Sequence, residues 1–115
     1  MRCALLATLL LVGASAPAEA HAMLEHAGPG AAAVLTAAPK SVVLEFSEAL
    51  EPAFSNVSVS DAASHDVGAT QAVVAGNAMS ITLKPLPPGT YKVLWHAVSV
   101  DTHRTQGSYV FVVKP

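Results

Sequence analysis

The sequence predicts an all-β protein, a seven-stranded Greek-key β-sandwich of immunoglobulin-like topology. Three observations carry this. Seven runs of β-branched, aromatic or alternating residues recur at spacings of roughly 8 to 15 residues, separated by Gly, Pro and Asn turn signals. No segment beyond residue 20 keeps a helical period. The 115 residues suffice for one domain, and short strands in a chain of that size bury their apolar faces best as two packed sheets.

The first twenty residues stand apart from this pattern. "MRCALLATLLLVGASAPAEA" places a positive charge at Arg2, an apolar run from Cys3 to Val12, and small residues ending in Ala18-Glu19-Ala20. This is the three-part layout of a secretory signal peptide. The apolar run is too short to span a membrane, since a bilayer core of about 30 Å takes roughly 20 helical residues. Residues 1–20 are therefore expected to be cleaved, leaving one domain over residues 21–115 that begins with His21. The sole cysteine, Cys3, leaves with the signal, so no disulfide is expected although export would permit one. With 52% apolar residues, a hydrophobic core takes the place of that staple.

The strands follow in order. "MLEHAGP" reads as a first edge strand. "GPGAAAVLTAAPK" is rich in helix-forming alanine, but Pro29, Gly30 and Pro39 confine it to a loop or one short turn. "SVVLEFSE" (41–48) and "NVSVSD" (56–61) alternate apolar and polar residues, the period of a half-buried strand. "TQAVVAG" and "MSITLKP" flank Gly76-Asn77, a hairpin signal. After the rigid turn "PLPPGT" come "YKVLWHAVSV" and "GSYVFVVK", rich in residues that suit a pleated sheet. Tyr91, Val93 and Trp95 on one strand, and Tyr109, Phe111 and Val113 on the next, are expected to fill the core.

Charge excludes several partners. The net charge is −2, and losing Arg2 together with Glu19 leaves it unchanged. There is no basic patch for nucleic acid and no run of like charge to form a tail. No second apolar segment approaches spanning length, so the processed chain is expected to be soluble and not membrane-spanning.

The chemistry rests on the histidines, of which there are five. His26 and His65 fall in or beside loops, and His96 follows Trp95 and faces away from the core near Lys92, so all three read as surface residues. His21 differs. Cleavage after Ala20 would free its α-amino group, giving an amine and an imidazole nitrogen that chelate one metal ion. The amine, with a reference pKa of about 7.7, yields its proton readily to a metal at neutral pH. The stretch "SVDTHRTQG" supplies further donors. On an extended backbone Asp101 and His103, at i and i+2, point to one face about 6 to 7 Å apart. Alone, such a pair reads as a polar turn with a solvated histidine. Joined to His21 it makes an amine, imidazole, imidazole and carboxylate set, which suits one tetragonal Cu(II) per chain.

These residues resemble a known family. "HAMLEHAGPGAAAVL", "VVLEFSEALEPAFSNVSV" and "LPPGTYKVLWHAVSVDTHRTQGSYVFVV" are similar, over nearly all of residues 21–115, to the CopC-like periplasmic copper-binding proteins. The last segment is the most specific, matching a G-x-Y-x-V-x-W stem, a D-x-H pair and a G-S-Y-x-F strand. The resemblance implies an immunoglobulin-like sandwich in the periplasm that binds Cu(II) through His21, by amine and imidazole, with Asp101 and His103. It also implies that Glu48, in "FSEAL", accepts a hydrogen bond from the amine or an imidazole N–H beside the copper. Two departures are visible. Thr102 and Arg104 stand where the family commonly has Gly and Pro, and a cation at Arg104 would repel a nearby Cu(II). A methionine-rich Cu(I) site is not expected, because residues 21–115 contain only Met23 and Met79.

The expected function is copper sequestration, delivery or resistance by a binding protein, with the copper ion as partner and a separate inner-membrane copper transporter beside it. Two other classes compete. A histidine-brace copper oxidase or monooxygenase also uses an N-terminal histidine, but Asp101 would occupy the plane in which such an enzyme activates oxygen, and the one Trp and two Tyr are claimed by the core. A plain adhesion or scaffold module would retain no Cu(II).

Overall fold

Alternation along the chain determines which side chains meet. The protein is represented by a computed structural model, which describes residues 22–115. The expected signal peptide and His21 lie outside the described residues. Eight strands run in order: β1 Leu24–Gly28, β2 Val34–Leu35, β3 Ser41–Phe46, β4 Asn56–Ser60, β5 Val73–Ala75, β6 Ala78–Thr82, β7 Gly89–Val98 and β8 Arg104–Val113. They pair into two four-stranded sheets, β1-β3-β6-β5 and β2-β8-β7-β4, giving the all-β Greek-key sandwich that the sequence predicts.

The core lies between the sheets. Val42, Leu44 and Phe46 of β3, with Met79 and Ile81 of β6, face Val57 and Val59 of β4 and Tyr91, Val93 and Trp95 of β7. Burying each large side chain contributes about 1.5–3 kcal/mol. Phe46 meets Trp95 edge to face, with ring centroids 5.1 Å apart, and Tyr91 stacks on Phe111 at 5.5 Å. Phe111 and Val113 are buried as expected, whereas Tyr109 is half-buried and donates its hydroxyl to Pro29 O at 2.7 Å.

Two local features differ from the sequence reading. The alanine-rich segment forms β2, which pairs in parallel with the end of β8, Val34 opposite Val112 and Leu35 opposite Val113. A two-residue strand carries no period to detect; it forms because Ala33 O and Leu35 O accept the N–H groups of Val112 and Lys114. In β1, a register shift between Leu24 and His26 inserts one extra residue opposite β3, a bulge that blunts an edge strand. His26 is thus an exposed strand residue opposite Glu45. The Gly76-Asn77 hairpin is as expected, with Gly76 at φ +60 where a side chain would be strained.

Candidate metal centre

The site is built on the longest hairpin. β7 and β8, ten residues each, pair from Gly89 opposite Val113 to Val98 opposite Arg104. Ser99 to His103 make the connection. Thr102 N donates to Ser99 O at 2.8 Å, and Ser99 N donates to His103 O at 3.0 Å. Thr102 takes φ +74, the left-handed residue that closes a three-residue hairpin loop and is ordinarily glycine.

Asp101 and His103 therefore lie in a tight turn, which corrects the extended geometry expected from their i, i+2 spacing. The turn brings them closer than an extended strand would. His103 Nδ1 lies 3.3 Å from Asp101 Oδ1, with both side chains partly exposed. Sequence reasoning missed Ser99. It has no solvent exposure, and its hydroxyl donates to Asp101 Oδ1 and lies 3.3 Å from His103 O. The available signal was the alternation, since Ser99 continues the every-second-residue series Tyr91, Val93, Trp95 and Ala97 of β7. The Ser99 hydroxyl is the main reason the Asp101 carboxyl titrates below its ordinary value, with the His103 side chain and N–H adding to it against desolvation. The carboxylate is thus anionic at neutral pH and available to a cation.

Two segments flank the turn. The first is the start of the described chain. Ala22 is fully buried, and its carbonyl accepts the Thr105 hydroxyl at 2.9 Å. Met23 exchanges hydrogen bonds with Ser47, donating to Oγ and accepting from the Ser47 N–H, both at 2.8 Å. Thr105 stands two residues beyond His103, so the segment that follows His21 is fastened beside the turn. The second flank is the 47–55 loop. Val100 N donates to Ala49 O at 3.1 Å, Glu51 N donates to Val98 O at 2.8 Å, and the buried Ser55 hydroxyl bonds both N and O of Val98.

The remaining residues singled out in the sequence separate clearly. Glu48 is half-buried in this second flank and forms no hydrogen bond or ion pair with another described residue. Arg104 lines a cleft with Phe54, His96 and Gln106. His65 is exposed, 3.6 Å from Asp61, at the end of the sandwich opposite the turn. Met79 is buried in the core while Met23 is half-exposed. Among the described residues Asp101 and His103 form a two-residue pair, and no group of three or more His, Cys, Asp or Glu gathers around one point.

Comparison with known proteins agrees with the fold. The CopC domain family matches residues 24–114. Protein YobA of Escherichia coli K12 is 40% identical over 99 residues, covering 83% of this chain and 80% of its own. Copper resistance protein C of Escherichia coli is 38% identical over 115 residues, covering 91% and 90%. The crystal structure of CopC from Methylosinus trichosporium OB3b superimposes with a TM-score of 0.76 at 32% identity, covering 83% of this chain and 95% of that one. A domain match over nearly all the described residues, on the same sandwich, means that the chain belongs to the CopC family of copper resistance proteins.

Proposed function

We propose that this protein is an exported Cu(II)-binding protein of copper resistance or homeostasis, which takes one copper ion per chain in the periplasm. Residues 1–20 direct export and are removed. The ion is held by the amine and imidazole of His21, the carboxylate of Asp101 and the imidazole of His103, with Glu48 accepting a hydrogen bond from a ligand N–H. Three nitrogens and one oxygen suit tetragonal Cu(II). With Asp101 as a fourth donor, the set would leave no strong position for a reactant, so the role is binding and not catalysis. Methionine-rich Cu(I) binding is no part of it. Copper passes to or from a separate inner-membrane transporter.

The observation that supports this most is the hydrogen bond from Thr105 Oγ1 to Ala22 O. Consecutive Cα atoms are 3.8 Å apart, so a residue preceding a fixed Ala22 has little chain to spend before it meets the Asp101–His103 turn. The test is a Cu(II) titration of protein beginning at His21, compared with protein carrying one extra residue before it. The extra residue turns the amine into an amide and is expected to weaken binding by orders of magnitude. Equal affinities would refute the ligand set.

A further inference from the structure

The outer face of the β2-β8-β7-β4 sheet carries a cleft beside the 99–103 turn. One lobe, about 370 Å³, is lined by Phe54, His96, Arg104, Thr105 and Gln106 together with the buried Ala97 and Val98. A second lobe of about 200 Å³ shares Phe54, Val98 and Arg104 and adds Glu51 and Thr102. Neither Asp101 nor His103 lines either lobe. The combined space falls in the range of small-molecule sites, which pair an apolar lining with a few placed polar groups.

The strand register explains the polar wall. His96 stands opposite Gln106, and Val98 opposite Arg104. Gln106 and Arg104, two residues apart on one strand, share a face with His96. The aromatic wall is built with equal definition. Phe54 is 66% exposed, an unfavourable position for a large apolar ring, yet its loop is not slack. Phe54 N donates to Glu51 O at 3.2 Å, Glu51 is fastened to Val98, and Ser55 grips both polar atoms of Val98. The backbone therefore holds the ring over the cleft.

We infer that this cleft binds a small organic monocarboxylate with an aromatic or aliphatic body. Arg104 receives the carboxylate, since a planar guanidinium matches two carboxylate oxygens with two parallel hydrogen bonds. Arg104 forms no ion pair with another described residue, so that fork is not already taken. Phe54 and Val98 cover the apolar body, and Gln106 and His96 offer further hydrogen bonds. The charge state follows from the lining. One guanidinium balances one negative charge, and Glu51 in the second lobe opposes another, which disfavours phosphates and dicarboxylates and directs the carboxylate to the first lobe.

The test is a titration of the ¹⁵N-labelled, metal-free exported protein with 3-phenylpropionate, followed by amide chemical shifts. Saturable shifts at Phe54, Val98, Arg104 and Gln106 are expected, with a Kd of about 1 mM or tighter. Arg104→Gln, an exposed substitution whose spectrum reports its own folding, is expected to weaken binding at least 10-fold, and uncharged 3-phenylpropanol is expected to bind as weakly as that variant does the acid. Absence of saturable shifts in the unaltered protein would overturn the assignment. So would equal binding of acid and alcohol, which would mark an apolar patch without carboxylate recognition. Because the protein is metal-free and the cleft excludes both turn ligands, neither result depends on the copper reading.

Discussion

The hydroxyl of Ser99, sealed from solvent, donates to Asp101 Oδ1. The carboxylate proposed to bind copper is thus aimed by a residue outside the proposed ligand set. Removing a partner that orients a metal ligand typically costs 10–100-fold in metal affinity. Ser99→Ala is expected to lose roughly that much Cu(II) affinity in a competitor titration and to alter the Cu(II) electron paramagnetic resonance spectrum. Unchanged affinity and spectrum would mean that Asp101 needs no support from Ser99.

Thr102 occupies a left-handed backbone conformation, φ +74, between the two side chains of the pair. For an L-residue that conformation costs roughly 1–2 kcal/mol, and a β-branched side chain is among the least suited to it. Glycine adopts it freely but loses about 0.5–1 kcal/mol through the extra freedom of its unfolded chain. Thr102→Gly is therefore expected to stabilise the protein by about 0.5 kcal/mol, read as a higher urea midpoint with an unchanged slope. A lower midpoint would show that the Thr102 hydroxyl, which donates to Asp101 O, outweighs the strain.

Gly107 lies directly opposite Trp95 in the β7–β8 pair. A Cβ at residue 107 would stand 2.6 Å from Trp95 Cζ2 and 2.8 Å from Cε2, closer than atoms approach without displacement. The indole packs against Phe46 and has little room to retreat. Gly107→Ala is expected to cost about 1–3 kcal/mol, the range for overpacking a core, and to shift the tryptophan fluorescence maximum. Wild-type stability with an unmoved maximum would contradict this packing.

Tyr109 gives the fold an alkaline weakness. Burial pushes its hydroxyl up from 10.0 to about 12. Between those values the unfolded chain has released a proton that the folded chain still holds, so stability is complete below about pH 10 and falls as pH rises toward 12. Tyr109→Phe loses the hydrogen bond to Pro29 O, about 1 kcal/mol at neutral pH, but carries no such penalty in alkali. Its deficit relative to the unaltered protein is expected to shrink above about pH 10 in urea melts. A constant deficit would mean that the phenol titrates alike in both states.

Much of this architecture is readable from the residues because one period governs it. Val42, Leu44 and Phe46, or Tyr91, Val93 and Trp95, fall on every second position, and burial follows that period even where the exposed neighbour is apolar, as at Val43 and Leu94. β2 escapes the same reading because two residues have no period and its pairing with β8 joins positions far apart in sequence. In the candidate site, Asp101 and His103 were legible as a pair, but their approach depends on a turn whose left-handed residue is threonine, a residue that does not announce such a conformation. Ser99 reads as a strand residue until its burial and its reach to Asp101 are seen. His21 and Glu48 still rest on the proposal: one lies outside the described residues, and the other has no described partner that reveals its role.

The bond between Ala22 and Thr105 joins residues 83 apart in sequence and ties the lead-in to β1, in one sheet, to β8 in the other. On the proposed ligand set, copper would span the same seam, with His21 entering from one side and the 101–103 turn from the other. An ion that binds only the folded chain stabilises it by mass action, about 2.7 kcal/mol when its free concentration is 100-fold above Kd. In a domain with no cysteine beyond residue 20, the metal would be a detachable clasp between the two sheets, and giving up the cargo would release the clasp.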